Sequence, residues 1–144
     1  GQEGQRIRAA ELFAGLYAEQ AAAKLGNIPY KYIAIEPSLL ADSVRRAIMD
    51  ENWKVRVHIM SCLGRYSVGL DYGMTASISE NLNHDAWPVR MVALWLLATQ
   101  QKESFQPVLD WKAQHDPFWL NQRLAVILGG KPPLPWQSEP PVEK

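Results

Sequence analysis

The chain is poor in the residues that most chemistry needs. It has one cysteine in 144 residues, Cys62, which excludes an internal disulfide and a multi-cysteine zinc site. Cys62 sits in the apolar run Val55 to Leu63, the setting of a buried structural thiol and not of a nucleophile, which needs an accessible electropositive site. Three histidines are present and none is followed by glutamate, so the paired His-Glu steps that hold iron are missing. There is no Gly-rich phosphate loop and no nucleophile elbow. No run approaches the ~18 consecutive apolar residues of a membrane span, so no insertion of this chain into a bilayer is expected. Excess charge is also absent: 15 basic residues balance 15 acidic ones, and nucleic acid is not expected as a partner. No catalytic residue, metal site or cofactor is expected.

What is present is a globular composition, 47% hydrophobic and 21% charged, in a chain long enough for one folding unit. Its patterning is helical. Ile7, Ala10, Phe13, Ala14, Tyr17 and Ala21 make one helix face within residues 4 to 25, with Gly26 as a stop. Residues 27 to 37 lack that period, are bracketed by prolines, and read as an extended connection. A helix from Ser38, as its cap, to about Met49 follows, then one opening at Trp53 or Val55 that buries Val55, His58, Ile59, Cys62 and Leu63. Thr75 to Leu82 reads as a helix with Ile78 and Leu82 inward. Pro88 sits at the first turn of a helix from Val89 to Gln100. Ser104 or Pro107 opens a helix to about Gln114, and Pro117 opens the last, which stops at Gly129 and Gly130. Residues 131 to 144 carry five prolines and read as an extended arm, so the expected division is a helical domain over residues 1–130 and a proline-rich arm over 131–144.

The segments beginning Glu51-Asn-Trp-Lys-Val-Arg, Asp85-Ala-Trp-Pro-Val-Arg and Pro117-Phe-Trp-Leu-Asn-Gln superpose, placing Trp53, Trp87 and Trp119 in one column at separations of 34 and 32 residues. Val55 aligns with Val89, Ile59 with Ala93 and Ala125, Cys62 with Leu96 and Leu128, and Arg56 with Arg90. Periods of this length belong to stacked helix pairs. The three tryptophans are expected in the core. The pattern, clearest in Asp85-Ala-Trp-Pro-Val-Arg-Met-Val-Ala-Leu, resembles the second helix of a HEAT repeat over residues 38 to 130, and Ile7 to Ala10 resembles a more distant copy.

That resemblance implies an all-α fold: a right-handed α-α superhelix, or HEAT-like solenoid, of about three helix pairs with an N-terminal helix and the extended C-terminal arm. It also implies a ladder between repeats in which Glu51 and Asp85 bond Arg56 and Arg90, interrupted in the third copy by Pro117 and Gln122. The second helices would line a concave face, and Val57, Met91, Trp95, Arg123 and Ile127 are the candidate partner-binding residues on it. Leu134 and Trp136 of the arm are candidates to cover this strip. The expected function is a non-catalytic scaffold for a protein or peptide, within an exported or membrane-tethered protein, since the chain opens at Gly1 and not at methionine. The alternative is a base-recognising enzyme similar to the HEAT-like alkylpurine DNA glycosylases, suggested by Asp85 or Asp116 near a tryptophan. His84 and His115 fall near equivalent turns and are the candidates for a metal or proton relay, beside the plainer reading as polar caps.

Overall fold

The computed structural model describes residues 2–25, 36–66 and 69–130. The expected extended connection lies almost wholly, and the proline-rich arm with Leu134 and Trp136 lies wholly, outside the described residues. Among the described residues the chain is all-helical: α1 Gln2–Leu25, α2 Pro37–Ile48, α3 Trp53–Arg65, α4 Tyr72–Glu80, a short 3-10 turn Asn81–Asn83, α5 Trp87–Gln100, α6 Lys102–His115 and α7 Trp119–Leu128.

Local chemistry explains most boundaries. Asn52 caps α3 by accepting the Lys54 N–H at 2.9 Å, and Asp71 caps α4 by accepting that of Met74 at 2.7 Å. Asp71 moves the start of α4 to Tyr72, three residues before the expected Thr75. Ser38 is not a cap: α2 begins at Pro37 behind Glu36, with no side-chain cap bond. Pro88 lies in the first turn of α5 as expected, where its missing N–H costs nothing. The other two prolines depart from that rule. Pro107 lies inside α6, whose start is Lys102, and Pro117 lies two residues before α7, in the turn. The α7 helix ends on Gly129, and Gly130 follows at φ 75°, a left-handed conformation that a Cβ would strain.

The helices pack in chain order. The α1 helix lies against α2 and α3, α3 against α5, and α5 against α7, while α2, α4 and α6 form the other side and contact their neighbours in the first row. No substantial contact joins α1 to α5 or α7 among the described residues. The core is continuous: Val55, Ile59 and Leu63 of α3, Val89, Ala93 and Leu97 of α5 and Ala125 of α7, all essentially inaccessible, belong to one buried cluster. Burying each such Leu, Ile or Val side chain contributes about 1.5–3 kcal/mol. The α5 helix is central and also buries Arg90, Leu94 and Ala98.

The three aligned tryptophans share one place, the first residue of α3, α5 and α7. That place is an edge and not the core, which corrects the expectation: Trp53 is 39% and Trp87 41% exposed, and Trp119 is half-buried. The buried stripe of each helix begins two residues later, at Val55, Val89 and Asn121, which leaves the first residue at the rim.

Candidate functional site

The same hydrogen-bonded turn introduces α3, α5 and α7. The residue three places before each tryptophan turns its side chain back to accept a backbone N–H two residues on. Asp50 accepts from Asn52 at 2.8 Å, His84 through Nδ1 from Ala86 at 2.9 Å, and Asp116 from Phe118 at 2.9 Å. The residue three places after each tryptophan then donates to the backbone carbonyl of that turn residue. Arg56 Nε reaches the Asp50 carbonyl at 2.6 Å, an Arg90 terminal nitrogen the His84 carbonyl at 2.9 Å, and Gln122 Nε2 the Asp116 carbonyl at 2.7 Å. Six bonds of two kinds therefore fix three helix starts alike. His84 stands in a place otherwise held by carboxylates, and only its unprotonated Nδ1 can accept. Burial first, then the positive charges of Arg56 and Arg90, push its pKa below the ordinary 6.5, with Asp85 opposing them.

The arginines also bond forward, to other partners than the sequence suggests. Arg56 donates to Asn81 Oδ1 at 2.9 Å, and Arg90 to the Asp116 carboxylate at 3.2 Å. The expected acids play other parts. Asp85 is exposed and offers Arg90 its backbone carbonyl at 2.9 Å, while the Glu51 carboxylate meets Arg6 of α1 at 3.4 Å. Arg6 also pairs with Asp50 at 3.3 Å, so a rung joins α1 to the turn before α3. The linked residues lie 45, 25 and 26 positions apart for Arg6–Glu51, Arg56–Asn81 and Arg90–Asp116. The hydrophobic period alone could have led to Arg6, since it falls one turn before the buried Ala10 as Arg90 falls one turn before the buried Leu94.

The last rung is sealed. Arg90 is 7% and Asp116 1% exposed, and Lys112 of α6, 5% exposed, donates to the Leu82 carbonyl and lies 3.9 Å from the same carboxylate. Burial lowers the Lys112 pKa, Asp116 raises it and Arg90 lowers it further. Two cations thus share one buried carboxylate. Asp116 is inaccessible, and its oxygens are engaged with Arg90 and the Phe118 N–H.

The proposed partner-binding residues fall on successive helices in two shared registers. Val57, Met91 and Arg123 lie four residues after their tryptophans, and Trp95 and Ile127 eight after theirs. Val57 and Trp95 are half-buried against the core, and Met91 is half-buried. Ile127 is 59% exposed. Arg123 lies with its guanidinium carbon 5.1 Å from the Trp119 ring centre. The Trp95 indole of α5 occupies the space that a side chain at Gly64 of α3 would need, so it locks two helices together and shows a partner only its remaining surface.

Two apolar features escaped the sequence reading. Trp87 and Phe118 meet at 4.6 Å between ring centres and Phe118 and Trp119 at 6.0 Å, a run of aromatics along one edge. An open cleft of about 240 Å³ lies between α1, α2 and the start of α3, lined by Arg6, Ala9, Ala10, Phe13, Ser43, Arg46, Ala47, Asp50 and Val55.

The histidines occupy separate settings. His58 lies 3.4 Å from Glu11, and His115 stacks on Trp111 with ring centres 4.5 Å apart. No cluster of three or more metal-ligating side chains converges among the described residues, and no described helix is long and apolar enough to cross a membrane. No protein-family model, curated protein or solved structure matches the chain.

Proposed function

We propose that the chain is a HEAT-like scaffold, a right-handed α-α superhelix without a catalytic centre, that holds a protein or peptide along the face formed by α3, α5 and α7. The observation that carries this reading is the threefold turn: a side chain at Asp50, His84 or Asp116 capping the N–H two residues on, and Arg56, Arg90 or Gln122 returning to its carbonyl. Helices started alike present the same register to the same side, so Val57, Met91 and Arg123, and after them Trp95 and Ile127, fall on one continuous surface. That surface combines half-buried apolar groups, one exposed isoleucine and one arginine held over an indole. Such a mixture is typical of the centre of a protein interface.

The direct test is affinity capture with the native chain and with Ile127→Glu, followed by titration of the captured partner. Ile127 is exposed, so the substitution leaves the fold intact and places a charge in an apolar contact. Affinity is expected to fall at least about tenfold. Equal binding by the two chains would remove this face from the function. Trp95→Ala makes a poor first choice, because it also empties the contact with Gly64.

A further inference from the structure

The cleft between α1 and α2 is independent of the scaffold face. Its floor is apolar, made by Ala9, Ala10, Phe13, Ala47 and Val55, and its rim carries Arg6, Arg46 and Asp50. Small side chains make up much of that floor, Ala9 and Ala10 from α1 and Ala47 from α2. On the rim, Asp50 is already engaged by the Asn52 N–H and by Arg6. Arg46 is exposed, and its side chain makes no hydrogen bond or ion pair among the described residues. The Arg6 Nε is buried and likewise has no partner among them. Counting Arg6, Arg46 and Asp50, the lining has one positive charge in excess, set beside an apolar floor.

We infer that this cleft binds a monocarboxylate on a compact apolar body, the carboxylate taken by the exposed Arg46 guanidinium. Guanidinium and carboxylate match as planar two-pronged partners. A cavity of about 240 Å³ falls below the ~300 Å³ at which drug-sized pockets begin, which restricts the body to a branched aliphatic or single-ring group. A dianion would meet repulsion from Asp50 after the first charge is matched. The same chemistry is offered by a free acid and by the carboxyl terminus of a peptide ending in an apolar residue.

The experiment titrates the full chain, by calorimetry and by amide chemical shifts, with 4-methylpentanoate, with a short peptide ending in a free leucine carboxylate, and with the amidated form of that peptide. At least one carboxylate is expected to bind saturably and shift the Ala9, Phe13 and Ala47 amides, and the amide to bind at least about tenfold more weakly. Tighter binding of the acid identifies a small-molecule site, and tighter binding of the peptide a terminus-reading site. Arg46→Ala is expected to weaken binding about ten- to hundredfold, the loss of a charge-assisted bond. Ala9→Leu fills the cleft without changing charge and is expected to abolish binding, with an unchanged helical spectrum as the check on its fold. Failure of both carboxylates, equal binding of acid and amide, or unchanged binding by either variant would overturn the assignment.

Discussion

The first and last rungs of the arginine ladder are chemically alike and physically opposite. Arg6 and Asp50 pair at 3.3 Å with side chains 40% and 16% exposed; Arg90 and Asp116 pair at 3.2 Å with side chains 8% and 1% exposed. Water screens the first pair and leaves it worth little. The second has lost its hydration and must be held by partners on every side, which Lys112, the Phe118 N–H and two backbone carbonyls provide. Packing makes the difference. A cleft between α1 and α2 opens beside Arg6, whereas α5, α6 and α7 pack against one another around Asp116, which is 1% exposed. The same kind of pair is therefore enclosed among α5, α6 and α7 in one place and borders an open cleft in the other.

The comparison breaks most visibly at Asp116. Replacing it with alanine leaves Arg90 and Lys112 buried without their carboxylate and removes the bond to the Phe118 N–H in the turn before α7. Asp116→Ala is expected to cost about 3–5 kcal/mol, read as a lowered urea midpoint. A loss under about 1 kcal/mol would show that the buried cluster does not hold α7 in place.

The middle turn sharpens the contrast because its acceptor is titratable. The lowered pKa of His84 means that the folded chain favours the neutral ring. Its contribution is fully present above the ordinary value of 6.5 and is lost as pH falls through the lower folded-state value. The hydrogen bond at stake, from the Ala86 N–H to His84 Nδ1, is worth about 1 kcal/mol. Thermal midpoints are expected to fall more between pH 7.5 and pH 5 in the native chain than in His84→Asn, whose amide oxygen accepts at any pH. Parallel curves would mean that His84 does not contribute in this way.

The smallest effect is expected at the first rung. Arg6→Ala should destabilise by less than about 1 kcal/mol and lose most of that in high salt, as exposed pairs do. A cost comparable to that of Asp116→Ala would erase the distinction between the two ends.

Much of the helix plan was legible in sequence because helix faces are local. Apolar faces marked α1 to α5, serine, proline and glycine marked α6 and α7, and the columns Val55–Val89 and Ile59–Ala93–Ala125 are buried as their alignment suggested. The tryptophan column was visible, but its burial was misjudged: aromatic residues recurring at a fixed period look like core, and only the phase of the buried stripe puts Trp53 and Trp87 at the rim. The ladder was half legible. Arg56 and Arg90 stood out, yet Asp85 and Glu51 were expected to serve them, while the structure gives them Asn81 and Asp116 and gives Glu51 to Arg6. Trp95 looked like a free anchor because its complement, the missing side chain of Gly64, lies on another helix.

The amino-acid sequence alone determined that this protein is helical, roughly where its helices fall, and that a tryptophan-bearing segment recurs at separations of 34 and 32 residues. Periodicity, proline and glycine act within a few residues of themselves, so these properties need no knowledge of the fold. Only the tertiary structure decided which side chain each arginine meets, which indoles reach solvent, and where a cleft opens between α1 and α2. Those outcomes join residues 25 to 45 positions apart, and their strength depends on how much water remains between them once the helices are packed.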